Sequence, residues 1–170
     1  RDLHSFPTRR SSDLYSYWKS CFGGPGEGDA TFNNPHGLWY DDRPGREPAV
    51  VITDRVRHIL KYFTPDGKYL SSVEGFLLPC HFDLRGDVML VPDLSSRITL
   101  VDKDNKPLVH LANYPDWQKQ VDAEGLRTKP TTWEAGKFVH PHDACFDHDG
   151  NIIVTEWVEP GRVTKLTRLG

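Results

Sequence analysis

Three stretches of the chain alternate short apolar runs with tight polar turns, and in each a strand-like run ends on an acidic residue. Aligned there, they read PHGLWYDDRPGREPAVVITD (Pro35 to Asp54), PCHFDLRGDVMLVPD (Pro79 to Asp93) and PHDACFDHDGNIIVTE (Pro141 to Glu156). A second apolar run follows each: VRHILKYF, SRITLVD and GRVTKLTRL. These runs are short and β-branched, which predicts strands. GRVTKLTRL alternates polar and apolar positions, as a strand with one packed and one wet face does. Polar turns at Pro65-Asp66-Gly67, Asp104-Asn105 and Asp149-Gly150-Asn151 separate neighbouring runs, and Gly150 is free to take positive φ.

Asp54 to Asp93 spans 39 residues and Asp93 to Glu156 spans 63, one similar period plus an insertion. A repeat of about 40 residues with several short strands per unit is the signature of a propeller blade. The pattern therefore predicts an all-β fold, a partial β-propeller with blades at about 33–72, 76–111 and 138–170. The stretch at about 112–137 breaks the period. It reads as one short helix after Pro115, with Trp117, Val121 and Leu126 roughly on one side, followed by loop. Too short to bury its own core, it is expected to cap one end of the propeller. Trp117 and Trp133 are then packing residues or part of a ligand-facing wall.

Composition changes the picture at the N-terminus. HSFPTRRSSDL (His4 to Leu14) matches, in frame, the translated end of a common short-read sequencing adapter, so residues 1–14 are set apart from the fold. The gene is expected to have been cut off upstream of this point. The chain carries 21 Lys and Arg against 24 Asp and Glu; removing three Arg and two Asp with that stretch leaves 18 against 22. No segment is strongly basic, so the phosphate-neutralising term that dominates nucleic-acid affinity has no source. With 37% hydrophobic residues and five Trp the chain is globular in character. No apolar run reaches the roughly 18 residues of a spanning helix. Cys21, Cys80 and Cys145 have no zinc-knuckle spacing and read as small core residues.

The motifs NPHGLWYD, PHDACFDHDGNIIVTE and DRVRHILKYFTPDGK resemble NHL repeats of a six-bladed β-propeller, and within that superfamily the peptidyl-α-hydroxyglycine α-amidating lyases. The likeness covers roughly Asn33 to Leu169 apart from the insertion, and GEGDATFNNP resembles the segment that precedes such repeats. It implies zinc-binding histidines at the Pro-His entries: His36 and His142 as ligands, and Asp143 as the acidic neighbour of the last one. His81 is then the rival third ligand, displaced by one residue because Cys80 follows Pro79. The resemblance also implies the C-terminal half of a propeller, a periplasmic or extracellular setting, and a zinc-dependent lyase with a small-molecule or peptide substrate. The chain departs from the family after Asp93, where it reads LSSR in place of a catalytic Tyr. A second class therefore stands beside the first: a non-catalytic NHL propeller that binds a protein, peptide or glycan through its loop face.

Zinc chemistry gives the repeated Pro-His a physical reason. Imidazole nitrogens bind zinc at about 2.0–2.1 Å, so several blades must deliver them to a common axis, and the start of each innermost strand points there. Three ligands and an open position would polarise an oxygen or lower the pKa of bound water. The same geometry also serves as a hydrogen-bonded plug of the channel. His140 reads as an outer partner that orients a ligand or as a loop residue. His58, His110 and His148 carry no comparable signal. FGGPGEGD (Phe22 to Asp29) lacks the Lys and the helix of a phosphate cradle. Three blades of a six-bladed ring leave two open sheet faces, so the isolated chain is expected to be poorly soluble.

Overall fold

The computed structural model describes residues 20–169; the adapter-like residues Arg1 to Leu14 lie outside the described part. Strands β1 (Pro35–Asp41), β2 (Ala49–Asp54), β3 (Ile59–Phe63) and β4 (Tyr69–Val73) form one antiparallel sheet in chain order. Strands β5 (Asp83–Arg85), β6 (Val88–Asp93), β7 (Arg97–Val101) and β8 (Pro107–Leu111) form a second of the same topology. A third contains β9 (Pro141–Phe146), β10 (Ile152–Glu156) and β11 (Arg162–Leu166). Successive antiparallel meanders stacked face to face are the blades of a propeller, and the chain is a partial one.

Alternation along each strand decides which blade a residue serves. In β6, Met89 and Val91 turn to the first blade and pack with Val51, Leu60, Tyr62 and Phe82. Leu90, between them, turns the other way and packs with Ile98, Phe138, Ala144, Ile152 and Val154 at the third blade. Each such side chain, fully buried, contributes about 1.5–3 kcal/mol. The second blade is therefore apolar on both faces, and this is why its runs read as continuous hydrophobic stretches.

The acidic residue that sets the period closes each blade. Asp54, Asp93 and Glu156 are buried. Each sits across from the Pro that opens its blade: Pro35, Pro79 and Pro141 respectively. Each carboxylate accepts a backbone N–H from the residue two before that Pro, Asn33 at 3.1 Å, Leu77 at 3.0 Å and Val139 at 2.7 Å. Each also pairs with an arginine, Arg57, Arg97 or Arg162. The arginine in turn donates to the carbonyl four before the Pro, that of Thr31, Gly75 or Lys137. The clip ties the entry of the first strand to the exit of the second, and its spacing is what the sequence repeats.

A polar lock joins the first two blades at their outer turns. Arg43 donates to Asp41, to the Asp102 carbonyl at 2.7 Å and to Asn105 Oδ1 at 2.6 Å. Arg46 and the Tyr62 hydroxyl donate to the same Asn105 oxygen. Burial works to raise the Asp41 carboxyl, but Arg43 and Arg46 hold it below the ordinary carboxylate value. Burial pushes the Tyr62 phenol up to about 12, so it stays a donor.

The insertion forms α1 (Pro115–Glu124), with Pro at its first turn and Gly125 in the left-handed conformation (φ 59°) at its end. Trp117 and Val121 are buried with Leu126, Val139 and Val158, and Trp133 packs at their edge. The Trp117 indole donates to the Phe138 carbonyl and that of Trp133 to Leu126. Trp117 is a packing residue that holds the insertion against the entry of the third blade, and Trp133, half-buried, packs at the edge of the same cluster. No helix among the described residues is long and apolar enough to cross a membrane.

Candidate metal centre at the blade entries

Three successive blades each bring one donor to a single point. His36 stands in β1, Cys80 on the segment before β5 and His142 in β9, with their ligand atoms within 4.8 Å of one another. The His36 and His142 rings meet edge to face, their centroids 4.9 Å apart. Gly37 makes the approach possible. A Cβ there would lie 2.2 Å from the Cys80 carbonyl oxygen and 2.8 Å from His81 Cα, so only glycine lets the first blade come this close.

Hydrogen bonds set the protonation of the donors. His36 Nδ1 lies 2.9 Å from the Cys80 carbonyl oxygen. A carbonyl only accepts, so Nδ1 carries a proton and Nε2 is the ring atom left to face a ligand. This is the backbone bond by which metal-ligating histidines are commonly oriented. Burial lowers the His142 pKa from its ordinary value, aided by His36 and Arg55, so at neutral pH it offers a lone pair. Burial pushes the Cys80 thiol up to about 11 against the pull of Arg55. Two imidazoles and a thiol are a donor set suited to a divalent ion of zinc type. Bonds of about 2.0–2.3 Å place tetrahedral donors roughly 3.3–3.8 Å apart, so the side chains need close by only about an ångström.

No family model matches the chain, and no curated protein matches it. Among solved structures it is similar to virginiamycin B lyase from Staphylococcus aureus, with 13% identity, a TM-score of 0.48, and coverage of 82% of this chain and 44% of that one. It is also similar to glutaminyl cyclase from Myxococcus xanthus, with 13% identity, a TM-score of 0.46, and coverage of 81% and 59%. The chain spans about half the length of these structures.

The remaining site residues fall into two groups. His81 is not in the three-donor cluster; Cys80 takes that place. His81 stands beside the cluster, and its charge bears on His142. His81 Nε2 lies 3.9 Å from Asp143 Oδ1, and both side chains are partly exposed. His140 is committed elsewhere: its Nδ1 is 3.0 Å from the Leu94 carbonyl oxygen and its ring stands beside Trp157. Arg55 is a site residue that the sequence reading passed over. Its Nε donates to Asn34 at 3.0 Å, and its charge bears on both Cys80 and His142. The signal was its place directly after the strand-ending Asp54, next to the blade entry.

The cysteines divide differently from the sequence expectation. Cys80 is buried, whereas Cys21 and Cys145 are exposed and are not core residues. A thiol at about 11 has on the order of a hundredfold less thiolate at pH 8 than an ordinary one. Titration of the metal-free, folded chain with a chromogenic disulfide is therefore expected to release two equivalents quickly, with the third following only on denaturation.

Proposed function

We propose that the chain carries a zinc site of a propeller enzyme, with His36, Cys80 and His142 as the ligands. The observation that carries this reading is the convergence of one donor from each of three successive blades. The finer reading, which rests on the sequence resemblance, is a six-bladed NHL propeller with zinc-dependent lyase activity of the amidating-lyase type. Zinc, when bound, would polarise a substrate oxygen or acidify a water. Around it the chain supplies two further functions. Arg55 offers a fixed positive charge to an anionic group of the substrate. His81, partly exposed beside Asp143, is available to take or return a proton.

Elemental mass spectrometry of the purified chain beside its His142→Ala and Cys80→Ser variants tests the site. Near-stoichiometric zinc is expected in the parent, with affinity in each variant reduced by at least about a hundredfold, beyond what loss of an outer partner alone costs. A parent that holds no metal under the same conditions makes the histidine pair channel packing. Such a result would turn attention to a binding role for the loop face.

A further inference from the structure

The second and third blades enclose a cavity that has no counterpart between the first and second. Val88, Leu100, Leu111, Phe146, Ile152 and Leu166 form its apolar walls, around a volume of about 600 Å³. That lies within the roughly 300–1,000 Å³ of small-molecule sites. The strand pairings explain the opening. With Asp54 aligned on Asp93, Leu100 is the equivalent of Tyr62, and Leu111 that of Val73. Between the first two blades Tyr62 is buried and its hydroxyl reaches Asn105. Arg43 and Arg46, from the connection at 42–48, cover the same turn by donating to the Asp102 and Lys103 carbonyls. Between the second and third blades a leucine replaces the tyrosine, and the connection is only Gly86 and Asp87. The outermost strand β8 gives no residue to the cluster shared by the first two blades, so an outermost strand is not what fills this place. The cavity is set by residues inside the chain.

The charge at its mouth is inverted as well. The pairings put Arg85 where the first blade has Asp41, the carboxylate that pairs with Arg43 and Arg46. Arg168 lies two residues beyond Leu166, as Lys103 lies two beyond the equivalent Val101. The two arginines flank Gly150, where a Cβ would stand 3.2 Å from Arg85 Cζ and 3.4 Å from Arg168 Nη1. Arg85 donates to the His148 carbonyl at 3.1 Å. Among the described residues neither arginine pairs with a carboxylate. The first interface therefore brings its own carboxylate to its arginines, whereas the second presents two arginines in front of an apolar cavity.

We infer that this cavity binds a small apolar carboxylate, its hydrocarbon body against Leu100 and Phe146 and its head group at Arg85 and Arg168. A guanidinium meets a carboxylate with two parallel N–H donors, and the body gains the burial that the Tyr62 ring has at the first interface. The walls share no residue with the metal cluster, and Val88 and Asp93 stand at opposite ends of β6. The inference therefore does not rest on the zinc reading.

Isothermal titration calorimetry of the full chain with phenylbutyrate and with octanoate is expected to show binding of at least one, about tenfold or more tighter than the matching uncharged alcohol. Which acid binds better tells whether the body is aromatic or aliphatic. Arg85→Gln with Arg168→Gln, at two exposed positions, should erase the preference for acid over alcohol without touching the core. Leu100→Tyr, which restores the residue of the first interface, should abolish binding of both acids in a chain whose urea midpoint stays near the parent's. Leu108→Gln, at an exposed leucine outside the cavity, should bind like the parent. A parent that binds neither acid, equal affinity for acid and alcohol, or an arginine double variant that keeps the preference would overturn the proposal. So would a folded Leu100→Tyr chain that binds like the parent.

Discussion

Asp93→Ala is expected to destabilise the chain by about 3–5 kcal/mol, a third or more of the stability of an ordinary domain. Asp93 is fully buried and holds three donors: Leu77 N at 3.0 Å, Arg97 Nε at 2.7 Å and Thr99 Oγ1 at 2.6 Å. Burial pushes its carboxyl up from the ordinary value against the pull of Arg97, so the charge is tolerated only while its partners stay. Removing the carboxylate leaves the mostly buried Arg97 charge without its counter-ion, bonded to the Gly75 carbonyl alone, and the Leu77 N–H without an acceptor, in the blade that touches both others. The cost therefore comes from the stranded partner more than from the lost attraction. Arg97→Met added to Asp93→Ala should recover part of the loss, and urea denaturation of the two single variants and the double variant measures the coupling. A single variant within about 0.5 kcal/mol of the parent, the ordinary range for surface changes, would remove the clip from the account of stability.

Gly37→Ala should be nearly as damaging and should strike stability and site together. The new methyl meets backbone on the facing segment, the Cys80 carbonyl and the His81 Cα, and backbone cannot swing aside as a flexible side chain can. The first and second blades must part, at a cost of about 3 kcal/mol for overpacking of this kind. Parting them also breaks the bond from His36 Nδ1 to the Cys80 carbonyl that orients the imidazole. At the proposed zinc site, affinity should then fall about 10–100-fold even though His36, Cys80 and His142 are all still present. A urea midpoint and a zinc competition titration with a chromophoric chelator read the two effects. Gly28→Ala, where the added carbon meets only ordinary contact at 3.9 Å, is the control. Equal behaviour of the two variants would mean that the blades do not meet closely at Gly37.

The periodic positions were legible along the chain because they answer to local rules. An acid that must cap a strand exit, a Pro that needs no N–H partner and a turn that needs Asp-Gly-Asn each demand a residue type at a fixed offset. The same holds for the helix after Pro115, whose Pro start and Gly125 end are local signals. The arginine of each clip was harder to read, because it follows its acid by three, four or six residues in Asp54–Arg57, Asp93–Arg97 and Glu156–Arg162. A long side chain reaches the same carboxylate from several places, so only the fold reveals the equivalence.

The donor set shows the limit most clearly. The repeated Pro-His at residues 35–36 and 141–142, with the resemblance it carries, marked two members, since the same phrase at the same strand start sends both side chains to one place. The third depended on which of two adjacent residues, Cys80 or His81, faces inward. That choice is made where the first two blades meet, with Gly37 against the Cys80 carbonyl and the His81 Cα, and this is not a property of sequence spacing. The fold class and the period were therefore determined by the sequence alone, through local backbone and capping chemistry, and the repeated Pro-His marked two residues of the three-residue cluster. The place of Cys80 beside the two histidines and the neighbouring charge of Arg55 were decided only by the tertiary structure, because each depends on contacts between blades distant in the chain.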